Sequence, residues 1–280
     1  MTLICVWRDQ SYGVDRLIAV GDMRISSKES EGRMAPRTVI SDLSRKLIPI
    51  TVACHDCAVV ELVTGAMGQP YAKMEIGVAF SGRVLEAQTI VHHMQHGLSN
   101  LVATGGGEPQ VDPATLGEWT RRLVERYFAS HNDRHNATVT LIVFGWSDET
   151  PWYHKIRWDK TAATLESGAF DDMTFLSAGE ESERVRGEVQ KLRGAIQGHK
   201  RRMSKEFDLE DGVFEAFKVR SQHDSGARRV AEQGVIDKIL SEANDSIGGT
   251  LQKLELAPGQ RAACTRMSSE YDLVQDLYLS

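Results

Sequence analysis

The chain has 280 residues, of which 41% are hydrophobic, and a formal net charge of −6 at pH 7, so it is long enough to bury a substantial core. The acidic balance gives no electrostatic footprint for nucleic acid or for an anionic membrane surface, and no apolar run approaches the roughly 18–20 residues that a membrane helix requires. Four cysteines, at positions 5, 54, 57 and 264, do not make a disulfide framework. We therefore expect a soluble cytoplasmic protein with neither a nucleic-acid nor a membrane partner.

The first part of the chain alternates short apolar runs with turns, a pattern that predicts strands. Residues 3–7 and 17–20, separated by a turn around Gly13, are predicted to form a hairpin. A polar loop is predicted over residues 26–37. Further extended segments are predicted at residues 38–40, 47–53, 58–63 and 76–80.

The hydrophobic period changes at Gly82 and predicts a helix over residues 84–101. Asp112 and Pro113 are typical of an N-cap and a first-turn proline, which predicts a second helix that reaches about residue 130. Strand patterns return at residues 138–146, 152–158 and 173–176. A third helix, opened by Ser177-Ala178-Gly179, is predicted over residues 180–196, a fourth over residues 229–243, and a last strand over residues 250–256.

This order of elements predicts an α+β fold, a four-layer αββα sandwich of two antiparallel sheets flanked by helix pairs. The domain is predicted to cover residues 2–256, with insertions at about 51–75 and 197–228. Residues 257–280 are predicted to be a C-terminal tail.

The chemistry of the chain depends on Thr2. If Met1 is removed, Thr2 carries a hydroxyl and a free α-amine on one residue, which is a nucleophile with its base attached. The amine pKa, about 7.7–8.0 in model peptides, leaves much of it neutral at working pH. An apolar run after a small second residue is also the ordinary start of a strand, so Thr2 alone does not establish an enzyme.

Several short segments, taken in order, resemble the proteasome-type N-terminal nucleophile hydrolases, in the form of a bacterial proteasome β-subunit-like protein. The resemblance covers roughly residues 2–256. It rests on Thr2, Gly21-Asp22, Arg45-Lys46-Leu47-Ile48-Pro49-Ile50, Phe80-Ser81-Gly82, Ser177-Ala178-Gly179, and Asn244 to Gly249. The last segment departs from the family pattern, because Asn244 and Ile247 stand where the family has Asp and Ser.

The resemblance implies a set of catalytic roles and no cofactor. Thr2 would attack an amide carbonyl while its own amine accepts the proton. Lys46 would lower the pKa of that amine, and Asp22 would pair with Lys46 and orient it. The N–H of Gly82 would stabilise the oxyanion. Ser177 and the loop that contains Asp245 would steady the amine.

Three functions remain open from the sequence. The first is a threonine-type peptidase of peptide or unfolded-protein substrates, assembled as a ring or stacked homo-oligomer, with a partner ATPase left undetermined. The second is an N-terminal nucleophile amidohydrolase of a small amide. The third is an inactive assembly or binding protein, in which Asp22 is a turn residue, Lys46 a surface residue and Ser177 a helix cap.

Two other clusters are weaker indications of function. Cys54-x-x-Cys57 lacks the second half of a zinc site, and both cysteines fit a β segment as small apolar residues. His92 and His96 share a helix face without the glutamate of a zinc protease, so a polar or interfacial face is the better interpretation. No metal is therefore expected.

Overall fold

A computed structural model describes most of the chain. The described residues are 3–10, 15–28, 37–41, 44–56, 69–103, 111–130, 137–206, 236, 251–267 and 273–274.

The first sheet has six strands, and every neighbouring pair in it is antiparallel. Its spatial order is β11 (Phe175–Gly179), β1 (Leu3–Asp9), β2 (Arg16–Asp22), β12 (Leu251–Leu256), β13 (Ala263–Met267) and β14 (Leu273–Val274). The segment predicted as a tail therefore contributes two strands to this sheet.

The second sheet also has six strands, but one of its pairs is parallel. Its order is β10 (Ala163–Ala169), β9 (Thr150–Asp159), β8 (Thr138–Ser147), β6 (Ala72–Gly82), β5 (Leu47–Asp56) and β7 (Leu101–Ala103). The prediction of two antiparallel sheets is wrong for this one. Strand β7 pairs with β5 in the parallel direction, and because β5 is antiparallel to β6, β7 runs antiparallel to β6, the strand that precedes helix α1.

The α+β class is confirmed, and in the part of the chain that the structure describes three helices with defined bounds pack on the sheets. Helices α1 (Val84–Leu98) and α2 (Pro113–Ala129) cover the second sheet and share an apolar core with it. Helix α3 (Ser182–Glu206) packs on β11 and β1 of the first sheet. The predicted fourth helix lies outside the described residues except for Ile236, which is buried against that same face. A helix pair on each face of the sandwich thus stays a prediction.

A separate apolar core lies between the two sheets. Strand alternation supplies it, because successive side chains of a strand point to opposite faces. Even-numbered residues Ile4 and Val6 of β1 belong to this core together with Leu47 and Ala79 of the second sheet. Odd-numbered Leu3, Cys5 and Trp7 belong instead to the core beneath α3.

Three segment boundaries differ from the sequence prediction. Ser177-Ala178-Gly179 is predicted from the sequence to open the third helix, but it ends strand β11, because side chains of this segment continue to alternate between the two cores. Left-handed φ angles of 101° at Gly179 and 61° at Glu181 then turn the chain into α3. That helix continues to Glu206, into the predicted insertion. The predicted loop at residues 26–37 overlaps two short paired strands, β3 (Ile25–Lys28) and β4 (Arg37–Ser41).

The first predicted insertion begins as an extended hairpin. Strands β5 and β6 pair from Leu47 opposite Ala79 to Cys54 opposite Ala72. Cys54 is a buried free thiol in this hairpin. Cys57 and the predicted strand at residues 58–63 lie outside the described residues. In the part of the chain that the structure describes, no helix is long and apolar enough to cross a membrane.

His154 provides a test of how α2 is attached to the second sheet. Its Nε2 lies 2.6 Å from the Pro113 carbonyl oxygen and its Nδ1 lies 2.8 Å from Ser167 Oγ, so the neutral ring donates to the first and accepts from the second. Burial lowers the pKa of His154. The unfolded chain therefore takes up a proton that the folded chain does not, as pH falls below about 6.5.

We expect the free energy of unfolding to fall with pH below about 6.5, by up to about 1.4 kcal/mol per unit from this residue. Urea denaturation of the parent and of His154→Gln at two pH values on either side of this point measures it. The fall should be smaller in His154→Gln and unchanged in the exposed control His93→Gln. An identical fall of the unfolding free energy in all three chains would contradict the attribution of the pH dependence to His154.

Candidate functional site

A buried ion pair lies where the two sheets meet, at the end of β2 and just before β5. Lys46 Nζ is 3.2 Å from Asp22 Oδ1, and the side chains of both residues are completely buried. The same ammonium donates to the carbonyl oxygen of Arg24 at 2.6 Å. A buried carboxylate and a partly buried carbonyl fix the position of the Lys46 nitrogen more firmly than a surface contact would.

The ion pair contacts the first described residue of β1. The backbone N–H of Leu3 donates to Asp22 Oδ1 at 2.7 Å, and this bond is buried. One carboxylate oxygen therefore accepts from the Leu3 backbone and from the Lys46 ammonium. This places the charged pair at the N-terminal end of the strand.

Burial controls the protonation of the ionisable groups around this pair. It lowers the pKa of Lys46, while the Asp22 charge opposes that shift. Cys5, in the same strand as Leu3, is fully buried, and both burial and the negative charge of Asp22 raise its pKa. The Cys5 thiol thus stays protonated and is a poor nucleophile.

Gly82 ends β6 with a φ of 103°, in the left-handed region. A Cβ at this position would lie 2.1 Å from the carbonyl oxygen of Thr138, so any other residue would clash with the backbone of β8. The glycine is thus required by the local backbone. Among the described contacts, none joins it to the Asp22–Lys46 pair.

Ser177 lies in β11 opposite Cys5, two positions from the pairing of Gly179 with Leu3. Its hydroxyl donates to the carbonyl oxygen of Ser182 at 2.9 Å and so closes the turn into α3. The Ser177 carbonyl oxygen accepts from Lys155 Nζ at 3.3 Å. Its described contacts are structural, and they place it on the strand beside β1.

The structure thus brings Asp22, Lys46 and the start of β1 into direct contact. Gly82 and Ser177 lie in the flanking strands β6 and β11. Thr2 and Asp245, with the rest of the predicted Asn244 to Gly249 segment, lie outside the described residues. The catalytic roles of all six residues stay predictions.

The sequence interpretation missed two groups that hold Lys46. One is the backbone carbonyl of Arg24, which no sequence pattern indicates. The other is Gln252 in β12, 2% exposed, whose side chain binds the backbone of Lys46 and Leu47. A signal for Gln252 was present, since it shares the apolar face of its strand with Leu254 and Leu256, where a polar residue requires a partner.

Comparisons with known proteins identify the fold. No protein-family model and no curated protein sequence matches the chain. The chain superposes on Anbu from Yersinia bercovieri, described as an ancestral beta-subunit, with a TM-score of 0.55 at 11% identity over 96% of this chain and 88% of that one. The chain has the Anbu fold. The Gly-1 mutant of Anbu from Hyphomicrobium sp. strain MC1 agrees, with a TM-score of 0.51 at 12% identity over 97% and 89%.

A third structure, a helical assembly of the Anbu complex from Pseudomonas aeruginosa, matches at a TM-score of 0.48 and 14% identity over 96% of this chain and 88% of that one. This superposition is too loose to support a statement about assembly, so the ring or stacked homo-oligomer stays a prediction.

The predicted resemblance to a bacterial proteasome β subunit is wrong. Two solved structures on which the chain superposes with TM-scores above 0.5 are Anbu proteins, and identities of 11–12% make even these distant. The matched segments are short, and Gly-Asp or Ser-x-Gly recur wherever a strand ends in a turn. One of them, Ser177-Ala178-Gly179, is the end of a strand and does not open a helix.

Proposed function

We propose that the chain, once Met1 is removed, is a threonine-type hydrolase of peptide amides with Thr2 as its N-terminal nucleophile. The observation that carries this proposal is the buried Lys46–Asp22 pair bonded to the N–H of Leu3, one peptide bond from Thr2. A fully buried charge pair is costly to maintain. A buried, pKa-shifted lysine with a specific partner is characteristic of functional sites.

The covalent link between Leu3 and Thr2 supports the assignment of the Lys46–Asp22 pair to Thr2. The carbonyl carbon of Thr2 is bonded to Leu3 N, which lies 2.7 Å from Asp22 Oδ1. A trans peptide bond keeps consecutive Cα atoms about 3.8 Å apart. The Lys46 ammonium is 3.2 Å from the same oxygen, which supports the assignment of Lys46 to the amine and hydroxyl of Thr2.

Lys46 supplies the electrostatic part of the mechanism. A cation close to the Thr2 amine disfavours a second positive charge, which lowers the amine pKa and leaves a neutral base. Asp22 and the Arg24 carbonyl hold the ammonium in place, so Lys46 acts without moving. The β-branch of Thr2 restricts χ1 and helps to direct the hydroxyl.

The reaction proceeds through an acyl-enzyme. Thr2 Oγ attacks the amide carbonyl carbon, and its proton passes to the α-amine, directly or through a water. The amine then gives that proton to the leaving nitrogen as the C–N bond breaks, which leaves an ester on Thr2. Water attacks the ester with the amine again as base, the ester C–O bond breaks as the amine passes the water's proton to Thr2 Oγ, and the acid product leaves.

The remaining predicted residues surround this reaction. The Gly82 N–H is assigned to the developing oxyanion, a role for which the absence of a side chain allows close approach of substrate. Ser177 and Asp245 are assigned to the surroundings of the amine. Of these two, Ser177 is described in the strand that pairs with β1.

The test is hydrolysis by two preparations of the same chain, one that starts at Thr2 and one whose α-amine is acetylated. We expect the free chain to cleave a fluorogenic peptide amide and the acetylated chain to be inactive, because acetylation removes the base. A short N-acyl amide assayed in parallel separates a peptidase from a small-amide hydrolase. Inactivity of the free chain on both substrates, or equal activity of both preparations, would contradict the proposal.

A further inference from the structure

Gln252 is a buried polar side chain at the junction of the two sheets. It lies in β12 of the first sheet, opposite Gly21, and its neighbour Leu251 is opposite Asp22. The residue is 2% exposed. An amide buried this deeply costs stability unless its hydrogen-bonding groups are paired.

The amide is paired almost entirely with the backbone next to Lys46. Gln252 Oε1 accepts from Lys46 N and from Leu47 N, each at 3.0 Å. Its Nε2 donates to the Leu47 carbonyl oxygen at 2.6 Å and lies 3.1 Å from Cys264 Sγ. A flipped amide would set its NH₂ group against two N–H donors, so these partners determine its orientation.

These bonds hold a part of β5 that has no neighbour on one side among the strands that the structure describes. The Lys46 carbonyl oxygen accepts from Phe80 N, so the N–H and C=O of Leu47 point away from β6. On that outer side β5 pairs with β7 only at residues 54–56. Gln252 makes the two backbone hydrogen bonds with Leu47 that a neighbouring strand would otherwise make. It thus fixes the backbone from which the Lys46 side chain extends.

We propose that Gln252 is a positioning residue that holds Lys46 against Asp22 at the proposed active site. The strand β12 lies beside the strand that carries Asp22, and its Gln252 binds the backbone that carries Lys46. The Gln252 side chain thus fixes the position of the Lys46 backbone relative to the strand that carries Asp22. The inference rests on the proposed function only for its catalytic consequence, and its geometric content is independent of activity.

The test compares Gln252→Met with Trp146→Phe as a matched control. Trp146 Nε1 donates to the Leu256 carbonyl oxygen at 2.9 Å, and this bond is also a buried contact between β12 and the second sheet. Leu256 lies four residues after Gln252 in β12, away from the residue that binds the Lys46 backbone. We expect Gln252→Met to lower kcat by about 10- to 100-fold with KM within about twofold, since a small misplacement of a catalytic group has this effect. Trp146→Phe should lose stability and keep kcat.

A crystal structure of Gln252→Met separates this inference from the proposed function. We expect Lys46 Nζ to lose its contact with Asp22 Oδ1, which is 3.2 Å in the parent. Loss of the contact supports positioning even if the parent chain proves to hydrolyse no amide, which would overturn only the proposed function. An unchanged contact overturns the positioning role.

If Gln252→Met does not fold, the variant Gln252→Glu tests the positioning role. A protonated glutamate offers the same acceptor and donor as glutamine, whereas an ionised one has no donor for the Leu47 carbonyl. The ratio of the kcat of Gln252→Glu to that of the parent should therefore rise as pH falls. If the parent chain is inactive, the ratio of the unfolding free energy of Gln252→Glu to that of the parent should rise in the same way. A ratio independent of pH would overturn the inference.

Discussion

Replacement of Thr2 by alanine should lower kcat for amide hydrolysis by between about 10³- and 10⁶-fold in the processed chain. The upper figure is typical of removing a nucleophile that works as a unit with its base, and the lower one allows for catalysis by the remaining groups. The lower figure corresponds to about 4 kcal/mol of transition-state stabilisation. Initial rates on a fluorogenic peptide amide measure the effect.

Thr2→Ser is the matched control for this substitution. Serine keeps both the hydroxyl and the α-amine and loses only the β-methyl group, so the base and nucleophile remain on one residue. We expect a loss of about tenfold or less, because only the restriction of χ1 is relaxed. Full activity in Thr2→Ala would contradict the account, as would an inactive Thr2→Ser that is folded and processed.

Replacement of Lys46 by methionine should cost both activity and stability. It leaves the Asp22 carboxylate buried beside the Leu3 N–H without its cation, a change that typically destabilises a fold by about 3–5 kcal/mol. The Thr2 amine would also lose the cation that lowers its pKa. Urea denaturation measures the first effect and the pH dependence of kcat/KM the second, which should shift to higher pH.

A double-mutant cycle separates the two effects. Asp22→Asn together with Lys46→Met removes both charges, so the double variant should be more stable than the sum of the single changes predicts. Its activity should remain as low as that of Lys46→Met. Additive losses of stability would contradict the ion pair, and recovery of activity in the double variant would contradict the role of Lys46.

Local chemistry in the sequence was sufficient to predict several elements. Helix α2 follows from the Asp112-Pro113 start, and the structure shows Asp112 accepting from the N–H of Thr115 as an N-cap. The hairpin of β1 and β2 follows from two apolar runs and a turn. Asp22 and Lys46 could be selected as a pair from short motifs, and their buried contact is present in the structure.

Other features depend on contacts that a single sequence does not reveal. Gln252 binds Leu47 from 205 positions away, and no local pattern connects them. Strand β3 is short and polar apart from Ile25, so its composition reads as a loop until its partner is known. Ser177-Ala178-Gly179 is predicted from the sequence to open a helix, but the apolar alternation around Ser177 continues the strand.

The assignment to a family failed for a related reason. The order of strands and helices is a property of the fold, and the Anbu structures share it at 11–12% identity. Short motifs placed on that order suggested a closer relationship than the whole chain has. A shared fold does not determine function, which depends on the site, and in this chain the candidate site is the contact of Asp22 and Lys46 with the start of β1.

The most direct test is the mass of the N-terminal tryptic peptide from chain that has been quenched during turnover of a slowly hydrolysed acyl substrate. We expect this peptide to begin at Thr2, to end at Arg8 and to carry the acyl group. An active chain whose N-terminal peptide retains Met1, or whose acyl group is found on another residue, would contradict the proposed mechanism.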